Sequence, residues 1–268
     1  MNIIFVVKNS FFRRMLSLLF FIIALPRVFP FRLLRKQAKK LLKKTERNLV
    51  KFYFSHVAFF VQEPMFVIIG AHDGLNDPYS NILLNNRCCK GLLIEPVPYN
   101  YNQLKANFSD SKRFILEQVA IDSTPGEATF YSVDPITNTI FPSRISFLEK
   151  IGSLNRKHIV KFVNGELEPY IVETKVKVCT LSCILKKNRI RDIHFLQIDT
   201  EGYDFEVLKT LDFANYSPVM IIIEHVHLSN THKTEMVNLL KKYNYSIQYH
   251  GINLLALNKE AFKKLKNF

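Results

Sequence analysis

Residues 65–74 read MFVIIGAHDG. Five uncharged apolar residues, Met65 to Ile69, run into a loop bracketed by Gly70 and Gly74. So short a run is a buried strand entering a tight turn, not a helix. The same grammar recurs downstream. Gly91–Glu95 reads as a second strand, closed by Pro96 and Pro98, with a helix predicted over Pro78–Asn86 before it and another over Tyr99–Phe108 after it. Phe114–Ile121 is a third strand, and Ala128–Val133 a fourth after the turn Ser-Thr-Pro-Gly. Thr174–Cys179 alternates as a strand, and Thr180 is placed to cap a helix over Leu181–Lys187. The strand His194–Asp199, the helix Tyr203–Leu211, the strand Val219–Glu224 and the helix Lys233–Tyr243 follow. Tyr245–Tyr249 and Asn253–Leu257 flank His250 and Gly251 as a hairpin. Strands alternating with helices predict an α/β fold, a doubly wound and mostly parallel sheet ending in an antiparallel hairpin.

In such sheets ligands bind beyond the carboxyl ends of the strands, near the point where strand order reverses. The residues just past each strand therefore carry the functional expectation. Past the first stand Gly70, Ala71, His72, Asp73 and Gly74; past the second stands Glu95, 25 residues after Gly70. A carboxylate there can accept two hydrogen bonds from a ribose diol. Past the third stands Asp122, then Asp199, Glu201 and Gly202, then Glu224, His225 and His227. The glycine loop lacks G-x-G-x-x-G, so it is not a pyrophosphate fingerprint. Residues 134–170 are irregular, with short helices expected around Ser146–Leu154 and Lys157–Val163. So long an insertion is a candidate substrate region, with Ser143, Arg144, Arg156 and His158 as polar groups for an acceptor.

Charge is concentrated at one end. Residues 1–52 hold 13 Lys/Arg against the single acid Glu46; the other 24 bases face 22 acids. A nearly neutral domain over residues 53–268 is not a nucleic-acid binder. The segment 15–26 carries no charge but spans only roughly 18 Å as a helix, against a hydrocarbon core of ~30 Å. Residues 32–52 read as a basic amphipathic helix: Leu34, Ala38, Leu41, Leu42, Leu49 and Phe52 share one side among nine Lys/Arg. The two segments together predict attachment to a membrane surface, with the domain facing the cytoplasm.

Cys88, Cys89, Cys179 and Cys183 read as buried reduced thiols. No His, Cys or acid set has the spacing of a metal site, so no metal is expected, and His158 and His250 read as structural or solvated.

The segments VIIGAHDG (67–74), GLLIEPVPYNYNQLKANF (91–108), VAIDSTPGEATFY (119–131), VKVCTLSCIL (176–185), FLQIDTEGYDFEVLK (195–209) and IIIEH (221–225) carry a further signal. Over about residues 64–230 the chain resembles the FkbM family of methyltransferases, most specifically in IDTEGYDFEVLK. The resemblance implies a Rossmann-like fold and S-adenosylmethionine as cofactor. Gly70, Ala71, His72 and Gly74 would border its methionine part, Glu95 would hold the ribose, and Asp122 would lie near the adenine. Asp199 and Glu201 would lie beside the transferring methyl. It also implies O-methylation of a hydroxyl on a sugar, glycolipid or other small metabolite. Asp199, Glu201, Glu224, His225 and His72 are candidates for the general base, with Glu201 and His225 favoured. The chain departs from the family at Ile68, where an acid is usual, and at His72, where Asn is usual. Those departures leave open an inactive, membrane-tethered binding protein.

Overall fold

The computed structural model describes residues 50, 53–55, 57–75, 78–110, 112–140, 151–162 and 167–264. The apolar run 15–26, nearly all of the basic segment 32–52, Ser143, Arg144 and residues 146–150 lie outside them. Among the described residues no helix is long and apolar enough to cross a membrane. The chain divides into two units, Met1–His56 with Tyr249–Ile252 and Val57–Gln248 with Asn253–Phe268. In the first, residues 53–55 are helical and Gly251 turns with φ +61°.

The described strands form a seven-stranded and a four-stranded sheet. In chain order the elements are β1 (Met65–Ile69), α1 (Pro78–Asn85), β2 (Lys90–Ile94), α2 (Pro98–Asn107), β3 (Phe114–Glu117), β4 (Ala120–Ile121) and β5 (Gly126–Val133). Then come α3 (Thr137–Ile140), β6 (Gly152–Ser153), α4 (Arg156–Phe162), β7 (Ile171–Cys179), α5 (Leu181–Lys187), β8 (Phe195–Ile198) and α6 (Asp204–Lys209). β9 (Met220–Glu224), α7 (Asn230–Lys242), β10 (Tyr245–His250), β11 (Asn253–Asn258) and α8 (Lys259–Lys264) complete the fold.

The main sheet has the order β10-β11-β9-β8-β1-β2-β3, so strand order reverses between β1 and β8. The strands from β3 to β9 pair in parallel, and β11 is antiparallel to β9. This is the Rossmann-like, mostly parallel arrangement with a terminal hairpin. β1, β2, β8 and β9 are buried almost throughout, as strands covered on both faces must be. Their register aligns two apolar rows across one face, Leu92-Val67-Leu196-Ile221-Ala256 and Ile94-Ile69-Ile198-Ile223-Leu254. Leu181, Ile184 and Leu185 of α5, Phe205 and Leu208 of α6, and Met236 and Leu240 of α7 pack on these rows. Each buried aliphatic of this size contributes about 1.5–3 kcal/mol relative to exposure.

The second sheet corrects the strand reading of the sequence. Phe114–Ile121 is not one strand: β3 ends at Glu117, and Ala120–Ile121 starts the sheet ordered β4-β7-β5-β6. β5 and β7 pair antiparallel over their length, outside the main sheet. The physical reason is amphipathicity. β7 alternates Val176 and Val178 with Lys175 and Lys177, so it has one face to bury, where the main-sheet strands have two. Ala120, Phe130, Val176 and Val178 form its small core, with Val97 and Leu154 packed against it. The stretch expected as helix around Ser146–Leu154 contains instead the strand β6.

Two thiols also differ from expectation. All four cysteines are free, but Cys88 and Cys183 are exposed; only Cys89 is buried.

Candidate functional site

The register that aligns the apolar rows also aligns the residues one step beyond them. Next to Ile94, Ile69, Ile198 and Ile223 stand Glu95, Gly70, Asp199 and Glu224, a row of three carboxylates with a glycine at the reversal point. A side chain at Gly70 is impossible: its φ is +79°, and a Cβ would lie 1.8 Å from the Asp199 carbonyl oxygen. A cavity of ≈ 240 Å³ lies over the carboxyl ends of β1, β2 and β8, with Gly70 in its wall.

Glu95 is buried, yet both carboxylate oxygens are held. Oε2 accepts the His72 N–H at 2.9 Å, and Oε1 accepts the Val97 N–H at 2.9 Å. Burial pushes its carboxyl above the usual range; these two N–H groups, the His72 imidazole and the Asn100 side chain pull the other way. His72 takes φ +50° to deliver its N–H, a conformation that non-glycine residues adopt rarely. The carboxylate is thus fixed in place, with lone pairs left for a ligand. Val97, Val119, Ile121, Phe130 and Leu154 give the cavity its apolar wall, Ile121 and Phe130 from the second sheet and Leu154 from its flank.

The loop 199–204 forms the other wall. Asp204 is fully buried and accepts the N–H groups of Thr200 at 2.9 Å and Gly202 at 3.0 Å. Burial pushes its carboxyl up to about 7 against those hydrogen bonds. The clamp holds Glu201 at φ +50° and Gly202 at φ +86°. Gly202 has no side chain because His158 lies over it: a Cβ would come within 2.9 Å of Nδ1. His158 is brought there by α4, which Ile159 anchors in a cluster with Val133, Ile151 and Leu167.

Glu201 consequently sits between two imidazoles. Its Oε2 is 3.7 Å from His158 Nε2 and 3.7 Å from His227 Nε2, and His227 Nε2 is 3.6 Å from Glu224 Oε2. The His158 and His227 rings meet edge to face at 4.7 Å. Burial, then the carboxylates of Asp199, Glu201 and Asp204, push the Glu224 carboxyl up to about 10. Burial holds the His227 imidazole below its usual value, although Glu201 opposes it.

Of the residues singled out in the sequence, Gly70, Ala71, His72, Asp73, Glu95, Asp199 and Glu201 line the cavity. Gly74, Asp122, His158, Gly202, Glu224, His225 and His227 do not. Gly74, at φ +75°, has no side chain because the Phe108 ring would be 2.2 Å from its Cβ; it seats the loop on α2. Asp122 stands one side chain back, accepting the Tyr203 hydroxyl at 3.0 Å, and Tyr203 is the cavity residue. His225 belongs to the turn after β9, where His227 rather than His225 reaches Glu201. Arg156 pairs with Glu168 at 3.6 Å and Glu173 at 3.9 Å and is not in the cavity wall. Ile68 is buried within β1 and faces away from the cavity, which Ile69 lines.

Asn100, Phe130, Leu154, Tyr203 and the pairing of His158 with His227 had no signal in the sequence reading. The two histidines are 69 positions apart and belong to no spacing pattern. The fold brings His158, Glu201 and His227 together, and also Asp199, Glu201 and Glu224.

Residues 69–247 match the family model for the methyltransferase FkbM domain. No curated protein matches the sequence. Among solved structures the chain is similar to the methyltransferase FkbM from Methylobacillus flagellatus KT, with 15% identity and a TM-score of 0.45 over 73% of this chain and 44% of that one. It is also similar to precorrin-6y C5,15-methyltransferase from Geobacter metallireducens GS-15, with 10% identity and a TM-score of 0.37 over 77% of this chain and 87% of that one. The chain thus spans less than half the length of the Methylobacillus protein. Because the family match covers well over half of the chain and every residue that lines the cavity, from Ile69 to Val207, the chain belongs to the FkbM methyltransferase family.

Proposed function

We propose that this chain is an S-adenosylmethionine-dependent methyltransferase that O-methylates a hydroxyl on a sugar, glycolipid or other small metabolite. The observation that carries the reading is Glu95: a buried carboxylate with both oxygens fixed by backbone N–H groups at the mouth of β2, in a cavity at the reversal point of the sheet. That geometry suits a ribose diol, which needs two acceptors at fixed separation. Val97, Val119, Ile121, Phe130 and Leu154 would enclose the adenine, and the backbone of Gly70 and Ala71 with Asp199 would border the methionine end. When bound, the cofactor supplies a methyl group on a positively charged sulfur, which an oxygen nucleophile displaces in line.

The chain's own part is to align and to remove a proton. Clamped by Asp204, the loop 199–204 presents Asp199 and Glu201 to the cavity, so the acceptor hydroxyl meets carboxylates at its reactive side. One of this pair takes the hydroxyl proton, which develops as the oxygen attacks. Holding acceptor and donor at near-attack distance supplies most of the acceleration such a transfer needs. The basic and apolar segments of residues 1–52 favour a membrane surface as partner and a lipid-linked acceptor, with the domain on the cytoplasmic side.

Calorimetric titration of the full chain with S-adenosylmethionine and S-adenosylhomocysteine tests the cofactor. Each hydrogen bond to a charged group is worth about 1.5–3 kcal/mol, so Glu95→Ala should weaken binding about 100-fold. Folded protein that binds neither compound would overturn the reading and leave an FkbM-type fold without transfer activity. A labelled-methyl assay on glycan and glycolipid acceptors, partitioned between aqueous and organic phases, then identifies the product class.

A further inference from the structure

We propose that His158, Glu201 and His227, with Glu224 and Asp199 beside them, form a binding site for one first-row divalent metal ion at the acceptor end of the cavity. The argument is geometric. Hydrogen bonds between nitrogen and oxygen fall at 2.7–3.2 Å. Here the three separations among His158 Nε2, Glu201 Oε2, His227 Nε2 and Glu224 Oε2 are 3.7, 3.7 and 3.6 Å. They are too long for hydrogen bonds and close to the edge of a coordination shell. Ligands about 2.0–2.1 Å from a shared tetrahedral ion lie about 3.4 Å from one another. The donor atoms of His158, Glu201 and His227 all lie within 4.8 Å of one another, and so do those of Asp199, Glu201 and Glu224.

A second observation points the same way. Glu224 is 7% exposed, and its Oε2 has no hydrogen-bond partner among the described residues; the buried Glu201 Oε2 has none either. A buried carboxyl oxygen left without a partner is costly, and a bound cation would satisfy it. Both oxygens aim at His227 Nε2.

The donor set selects the ion class. Two imidazoles with carboxylates suit Zn²⁺, Co²⁺, Fe²⁺ or Mn²⁺, whereas Mg²⁺ and Ca²⁺ prefer all-oxygen shells. Two features position the ligands. Gly202 lets the His158 ring lie against the backbone, and the Asp204 clamp fixes the loop that carries Glu201. Asp199 and Glu201 line the cavity, so an ion held by Glu201 would lie beside the acceptor. This last step rests on the proposed transfer reaction.

Metal binding is tested apart from the cofactor. Full-chain protein stripped with chelator is titrated calorimetrically with Zn²⁺ and with Mg²⁺, and with Co²⁺ while its visible absorption is followed. Expected are one Zn²⁺ or Co²⁺ per chain, a Co²⁺ spectrum of mixed nitrogen and oxygen ligation, and much weaker Mg²⁺ binding. His158→Gln and His227→Gln should each weaken Zn²⁺ at least about tenfold. Circular dichroism without metal verifies that both variants are folded, and the exposed-site variant Glu235→Gln should bind as the parent does. Absence of stoichiometric Zn²⁺ and Co²⁺ binding, or unchanged binding in both histidine variants, overturns the site. Glu95→Ala should keep its metal, which separates failure of this site from failure of the cofactor reading.

Discussion

His194 holds the amino-terminal end of the β1–β8 seam through a ring nitrogen. Its Nδ1 accepts the Met65 N–H at 3.0 Å, while its own N–H donates to the Met65 carbonyl at 3.0 Å. An acceptor nitrogen must be unprotonated, and burial accordingly holds this imidazole below its usual value, against the nearby Asp192. The sign follows from linkage. The unfolded chain binds the proton more readily, so this contribution is complete above the unfolded value of 6.5 and is lost as pH falls from there toward the folded value. Urea unfolding from pH 7.5 down to 5 should therefore show stability falling with pH. His194→Asn, which keeps an acceptor but removes the titrating group, should have a shallower slope over that interval; an unchanged slope would refute the assignment. At the opposite end of the strands the decisive residue is Gly70. It is the one position of the carboxylate row where any side chain would strike the backbone of Asp199.

Among the elements, the segment from β8 into α6 does the most for the site. Four buried residues of β8 fix its register, and the Asp204 clamp then bends the next residues into positive φ. A non-glycine residue in that region costs on the order of 1 kcal/mol, stored beside the cavity where Glu201 must point. Other elements only support. Helix α5 begins at Thr180, whose Oγ1 accepts the Cys183 N–H at 3.1 Å, and it packs Leu181, Ile184 and Leu185 into the core. Thr180→Ala should lower stability by about 1 kcal/mol in urea unfolding. Because α5 does not reach the cavity, titration with S-adenosylhomocysteine should show unchanged affinity in that variant. The second sheet works at this scale too. By leaving the main sheet after Glu117, the chain carries Phe130 and Leu154 over the cavity as its apolar wall.

For the whole molecule, charge divides the chain into a strongly basic segment and a nearly neutral remainder. Each basic residue near an anionic membrane contributes about 1 kcal/mol, and the attraction weakens with salt. The full chain should sediment with vesicles containing anionic lipid and be partly released by salt, with the apolar run 15–26 retaining the rest. A chain of residues 53–268 should stay in the supernatant; its continued sedimentation would remove the attachment role from residues 1–52.

The alternation of strands and helices and the acids at the strand ends were legible in the sequence. They rest on local facts: short apolar runs, glycine and proline punctuation, and a carboxylate following most runs. Glu95, Gly70 and Asp199 could be singled out because the fold class alone says where strand ends meet a ligand. Tertiary structure alone decided the rest. The break at Gln118 and Val119 depends on β4 finding β7, some 60 positions on, a pairing that no local pattern contains. Gly74, Asp122 and His225 resemble their neighbours in sequence, but the turn geometry points them away from the cavity. His158 and His227 come from elements far apart in the chain and meet at Glu201 only because α4 docks on the second sheet and β9 lies beside β8. Sequence records which groups a chain owns; which of them share one point in space is set by long-range packing.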